Sequence, residues 1–140
     1  KEKNMKKLVI TLAAIFTMAF AGICMAADGT DLNKQQKTAE TFVKVFSQTV
    51  PSYKDFTKGF DTQFKEKFDE KTYVTLQKQV KDKFGRMKEA KFYSFQRFDQ
   101  TDRVTYIAAF SKRKLVAINL SFNKDNKMVD FALSPVEQNK

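Results

Sequence analysis

The run Leu115-Val116-Ala117-Ile118-Asn119-Leu120-Ser121-Phe122, the link Asn123-Lys124-Asp125-Asn126 and the return Met128-Val129-Asp130-Phe131-Ala132-Leu133 decide the fold. Large apolar side chains at Val116, Ile118, Leu120 and Phe122 alternate with smaller or polar ones. That is the period of two that a half-buried strand requires. A short polar link between two such arms predicts an antiparallel hairpin. Working back along the chain, Val104 to Phe110 and Phe92 to Phe98 are two further runs rich in aromatic and β-branched residues. The connectors Asp99-Gln100-Thr101-Asp102 and Ser111-Lys112-Arg113-Lys114 are equally short and polar. Four strands in an antiparallel meander follow, the last closed by Pro135.

One alternate set is strongly apolar: Val104, Tyr106, Ala108 and Phe110, then Val116, Ile118, Leu120 and Phe122, then Val129, Phe131 and Leu133. This set is expected to face the core. The other, with Thr105, Ile107 and Ala109 beside Ala117, Asn119 and Ser121, is less polar than a solvated sheet face usually is. A homodimer through the sheet is one expectation that follows.

Upstream of Gly85 the period lengthens. Leu32, Ala39, Phe42, Val43, Phe46 and Val50 recur at steps of three, four and seven, the stripe of an amphipathic helix that Pro51 ends. Tyr53, Phe56 and Phe60 predict a short second helix, and Phe64 and Phe68 continue the spacing after Asp61. Asp69 is placed as an N-cap, and Tyr73, Leu76, Val80 and Phe84 form a stripe closed by Gly85, the residue type that suits a helix C-terminus. Helices first and a meander afterwards make an α+β domain.

Phe68-Asp69, the stripe Leu76, Val80 and Phe84-Gly85, the hairpin Val116 to Lys127, Phe131 and Ser134-Pro135 together resemble a bacterial exported domain family of unknown function. The resemblance covers Tyr53 to Pro135 and implies a nuclear-transport-factor-2-like (cystatin-like) fold, a cone-shaped curved sheet wrapped around a long helix. Family members tend to carry glycine at the turn where this chain has Asn126, a residue that tolerates positive φ.

The first 27 residues read differently. Met5-Lys6-Lys7 is a short positive start, Leu8 to Ile23 is apolar with few interruptions, and Met25-Ala26-Ala27 offers a small-residue cut site before Asp28. These are the three zones of a cleavable export signal. Residues 1–4, ahead of Met5, read as upstream of this signal. An uncleaved anchor is the competing account, but the run is at the lower edge of what spans a bilayer, and the cut site argues for cleavage. Lipidation at Cys24 would need a small residue in place of Ile23. The expected organisation is residues 1–27 as signal, 28–36 as a flexible N-terminus, 37–135 as one α+β domain and 136–140 as a tail. The expected location is the periplasm, or the exterior for another envelope type, with no stable membrane anchor after cleavage.

Removing the signal leaves 113 residues with 22 basic against 15 acidic, a net charge of +7, dispersed rather than blocked. Such an excess favours solubility and weak attraction to anionic surfaces. Nucleic acid is not an expected partner, because no concentrated basic stripe or recognisable module is present. The sole cysteine lies in the signal and the chain has no histidine. Thiol and imidazole nucleophile pairs, imidazole proton transfer and Cys/His metal sites are therefore excluded from the exported part. No cofactor motif is present and no catalytic residue is assigned.

Thirteen phenylalanines fall outside the signal. Phe42, Phe46, Phe60, Tyr73, Phe84 and Tyr106 are the candidates to line a pocket for an apolar small molecule, although core packing explains the same set. Asp61 and Asp69 are accounted for as caps, and Asp130, alternating with Val129 and Phe131, is expected to point outward. Lys112, Arg97, Arg103 and Arg113 sit near strand ends, where cations keep edges soluble. The leading expectation is a non-enzymatic exported domain that binds an apolar ligand or a protein or envelope partner. The alternatives are a small isomerase- or dehydratase-like enzyme and a structural dimerisation domain. Export predicts that protein recovered from the native envelope starts near Asp28 by N-terminal sequencing; recovery with Leu8 to Ile23 still attached would refute it.

Overall fold

In the computed structural model, residues 29–112 and 115–137 are described; the expected signal and the last three residues lie outside them. The period-two segments form β1 (Met87–Arg97), β2 (Asp102–Phe110), β3 (Val116–Phe122) and β4 (Met128–Pro135). They pair antiparallel in the order β1-β2-β3-β4, the expected meander. Leu120 stands between Val104 and Phe131, and Ile118 between Tyr106 and Leu133, so the apolar rows are continuous across three strands. Among the described residues four helices, α1 (Gly29–Lys44), α2 (Tyr53–Thr57), α3 (Thr62–Lys67) and α4 (Glu70–Phe84), precede the sheet. Their apolar stripes join the same core cluster as the inner rows of the sheet. No helix among the described residues is long and apolar enough to cross a membrane.

Local chemistry sets the helix ends. Asp61 accepts a hydrogen bond from the Gln63 N–H at 3.1 Å and Asp69 from the Thr72 N–H at 2.8 Å, which makes both the N-caps expected of them. Gly85 closes α4 at φ 87°, in the left-handed region. A Cβ there would also stand 2.1 Å from Ser111 Oγ, so glycine is required twice over.

Three expectations need correction. Residues 29–36, expected to be flexible, are helical from Gly29, because Asp31 bonds Arg97 and Gln35 bonds the buried Asp102 on the sheet. At its other end α1 stops at Lys44 rather than running to Pro51; Val45, Phe46 and Ser47 N–H groups bond carbonyls three residues back, tightening the chain and leaving Val50 47% exposed. In β4 the inward residue is Met128, fully buried, and not Val129. Val129 is the extra residue of a bulge, since Ser121 pairs with Asp130 and Phe122 with Met128. The cause is the link between α2 and α3. Met128 N–H donates to Gly59 O at 2.8 Å and Met128 O accepts from Asp61 N–H at 2.9 Å, drawing the start of β4 onto that link.

One polar cluster ties α1 to the sheet. Gln35, with no exposed surface, donates from Nε2 to Asp102 Oδ2 and to Asn126 Oδ1, each at 2.8 Å. Arg97 reaches Asp102 from Nε at 3.0 Å and Asp31 from Nη2 at 2.9 Å. Asn126 Nδ2 donates to Asp31 at 3.1 Å, completing the circuit through the β3–β4 turn. Asn126 holds φ 61°, the turn geometry its amide tolerates. The Asn126 bond and then Arg97 hold the Asp31 carboxyl below its ordinary 3.8. A depressed acid stabilises the fold above that value and loses its contribution as pH falls through the folded pKa.

Gln35→Ala removes the donor shared by buried Asp102 and half-buried Asn126 and is expected to cost about 1–3 kcal/mol, since an unmade buried hydrogen bond leaves its partner desolvated. Gln35→Glu, which also sets a second carboxylate against Asp102, is expected to cost more. Both are read from the denaturant midpoint, and a midpoint unchanged in Gln35→Ala would show that the circuit does not hold α1.

Candidate functional site

The space between helices and sheet is filled by rings. Phe56 stacks on Tyr73 with centroids 4.5 Å apart and lies 5.3 Å from Phe42 and 5.0 Å from Phe60. Phe42 also meets Phe131 of β4 at 4.9 Å, and Phe84 meets Phe110 at 5.7 Å. Phe42, Phe60, Tyr73 and Phe84 are thus packed core residues, none more than 6% exposed. The phenols at this end act as polar handles on apolar bodies: Tyr73 Oη donates to Pro51 O and Tyr53 Oη to Phe68 O. Burial pushes both phenols above their ordinary range, so they stay protonated as donors.

Two of the six sequence candidates reach open concavities. Phe46 borders a hollow at the end of α4. Tyr106 borders a groove of about 400 Å³ between α1 and the β1–β2 pair, with Gln36, Glu40, Val43, Lys44, Met87, Ala90 and Phe92. β1 is irregular where it borders the groove. Register shifts fall between Met87 and Glu89 and between Phe92 and Ser94, and each bulge increases the local twist. Phe92, 41% exposed, stands edge-on to Tyr106 with centroids 5.9 Å apart and an interplanar angle of 87°. Burial, and then the charge of Glu40, raises the Tyr106 phenol, while a hydrogen bond with Gln36 opposes the rise. Tyr106 is a neutral phenol at neutral pH, with the Gln36 amide beside it in the groove lining. Glu40 and Lys44 are exposed and stand at the groove's rim. Chemically, the groove offers an apolar floor, one ring at its lip, two opposite charges at its rim and a phenol and an amide able to orient one polar atom.

Val43 was visible in the sequence as part of the α1 stripe, but Met87 and Ala90 were not. Met87-Lys88-Glu89-Ala90-Lys91 has no apolar alternation, and β1 begins five residues before the run that betrays it.

Asp130 lies on the opposite face of the sheet from the groove, in the row it shares with Ser121 and Arg103. It is half-buried, and burial raises its carboxyl above 3.8 against the opposing Phe131 N–H, which donates to Oδ1 at 2.9 Å. The acid with the raised pKa and the groove with the phenol are therefore on different faces of one sheet.

The family model described as "Protein of unknown function (DUF3887)" matches residues 39–131. The chain belongs to this family. The match runs from Ala39 in α1 to Phe131 in β4, and every groove residue except Gln36 falls inside it. Neither the comparison with curated proteins nor that with solved structures finds a match.

An acid whose folded pKa is raised favours the folded state below its unfolded value and disfavours it as pH rises through the folded pKa. Asp130→Asn is therefore expected to raise the melting temperature near neutral pH and to lose that advantage below pH 3.8. Thermal melts of both proteins across that range check the sign; an advantage that persists in acid would point to a cause other than charge.

Proposed function

We propose that this member of the family is a non-enzymatic, exported binding domain of nuclear-transport-factor-2-like (cystatin-like) form, working in the periplasm. Its ligand is an apolar ring bearing one hydrogen-bonding atom, received in the α1–β1 groove. The observation that carries this reading is the division of the aromatic side chains. The rings of the interior are spent on packing, while Phe92 is left open over a groove whose inner wall is a neutral phenol. A volume of about 400 Å³ suits a small ligand or one large side chain of a partner. Gln36 and Tyr106 supply the few convergent polar groups that such sites use for orientation. A pocket enzyme would need a tuned acid or base beside its substrate, and the raised carboxyl of Asp130 is on the far face of the sheet.

Indole serves as a probe, being an apolar ring with one N–H. Its titration, followed by NMR, is expected to move the amides of Ala90, Phe92 and Tyr106 and few others. Phe92→Ser, at an exposed position, should keep the fold by circular dichroism and weaken indole about tenfold, roughly 1.4 kcal/mol. Shifts scattered over other surfaces, or equal affinity in Phe92→Ser, would overturn the reading.

A further inference from the structure

At the end where α4 meets the sheet, two hollows of about 410 and 530 Å³ adjoin across Lys81, Gly85 and Arg86, making a two-part depression. Its two halves differ in chemistry. Toward the end of α1 it is floored by Val45, Phe46 and Val80, with the half-exposed Val50 at its edge. Toward the β2–β3 turn it is lined by Arg86, Lys88 and Lys112 in addition to Lys81, with Asp82 the one acid among them.

These cations converge from three elements, and the helix end explains only part of them. The carboxyl end of a helix attracts positive charge because its last carbonyls lack partners. Here those carbonyls are engaged. Gly85 N–H donates to Lys81 O at 2.9 Å, Lys112 N–H to Phe84 O at 2.8 Å and Lys112 Nζ to Asp82 O at 3.0 Å. Arg86 directly precedes β1 and Lys88 lies at its start; both are exposed and form no ion pair among the described residues. Together with Lys81 they hold a net positive field beside an apolar floor.

We infer that this depression binds a single-chain amphiphile with a phosphate head. The alkyl chain lies over Phe46, Val50 and Val80, and the phosphate sits among Lys81, Arg86 and Lys88. Phosphate is favoured over carboxylate because the lining carries four cations against one acid, a match for more than a single negative charge. Arg86 also offers the planar fork that engages two phosphate oxygens at once. The site is separate from the α1–β1 groove and does not depend on it.

Dodecyl phosphate, dodecanoate and dodecyl maltoside, each below its micelle-forming concentration, are titrated by calorimetry into the domain. Dodecyl phosphate is expected to bind at least about tenfold more tightly than either of the others, and less tightly as salt is raised. The exposed double change Arg86→Gln with Lys88→Gln should remove that preference while leaving maltoside binding unchanged. Val50→Ser should weaken all three. Equal binding of phosphate and maltoside, or a double variant that keeps the preference, overturns the site; equal binding of dodecanoate overturns the choice of head group. Indole binding, measured on the same double variant, is expected to persist, so failure here is distinguishable from failure of the groove.

Discussion

Phe56 is the contact on which the helical half depends. It sits on the five-residue helix α2, too short to be stable alone. Its ring meets Phe42 of α1, Phe60 of the following link, Phe68 at the end of α3 and Tyr73 of α4, all within 5.6 Å. Burial of a ring of that size is among the largest single contributions a side chain makes. Here it also fixes relative position, because four elements share one neighbour. The link that α2 and Phe60 hold in place is the one that pulls Met128 inward and forces Val129 into a bulge. The path of β4 thus follows from packing among the helices.

The two ends of the domain are built on different principles. Around Phe56 the chain relies on shape. Around Gln35 it relies on a closed circuit of amide, carboxylate and guanidinium, in which Arg97 and Gln35 both address Asp102. Buried polar groups of this kind reward only one arrangement and penalise near misses. They therefore define where α1 lies along the sheet, which the apolar stripe by itself leaves free to slide. The position of α1 in turn sets the width of the groove that Val43 and Phe92 border.

The sheet was legible in the sequence because alternation over Val116 to Phe122 survives folding unchanged: four buried residues separated by three half-buried ones. Asp61, Asp69 and Gly85 were legible because capping is a local affair. What was missed depends on distant partners. Around Asp31 and Gln35 only Leu32 belongs to the helical stripe, and the partners that hold this turn lie more than 60 residues away. Val129 follows the alternation in the sequence and is displaced only by a contact with Gly59 and Asp61. The pocket candidates were chosen as aromatic residues on inward stripes, which is the property of a core. The groove instead lies where β1 is irregular, and bulges leave little trace in residue type.

Those bulges bear on how the protein behaves in a crowd. β1 is an outermost strand of 11 residues, with Phe92 and the 70% exposed Tyr93 near its middle. A straight strand of that length with such side chains is a template for open-ended polymerisation. The irregularities at Lys88 and Tyr93 break its row of backbone donors and acceptors into short stretches, and Lys88, Glu89 and Lys91 add charge between them. Such breaks shorten the stretch of this edge that a neighbouring chain could match in register. The same irregularities that lie beside the α1–β1 groove thus interrupt the outer edge of the sheet.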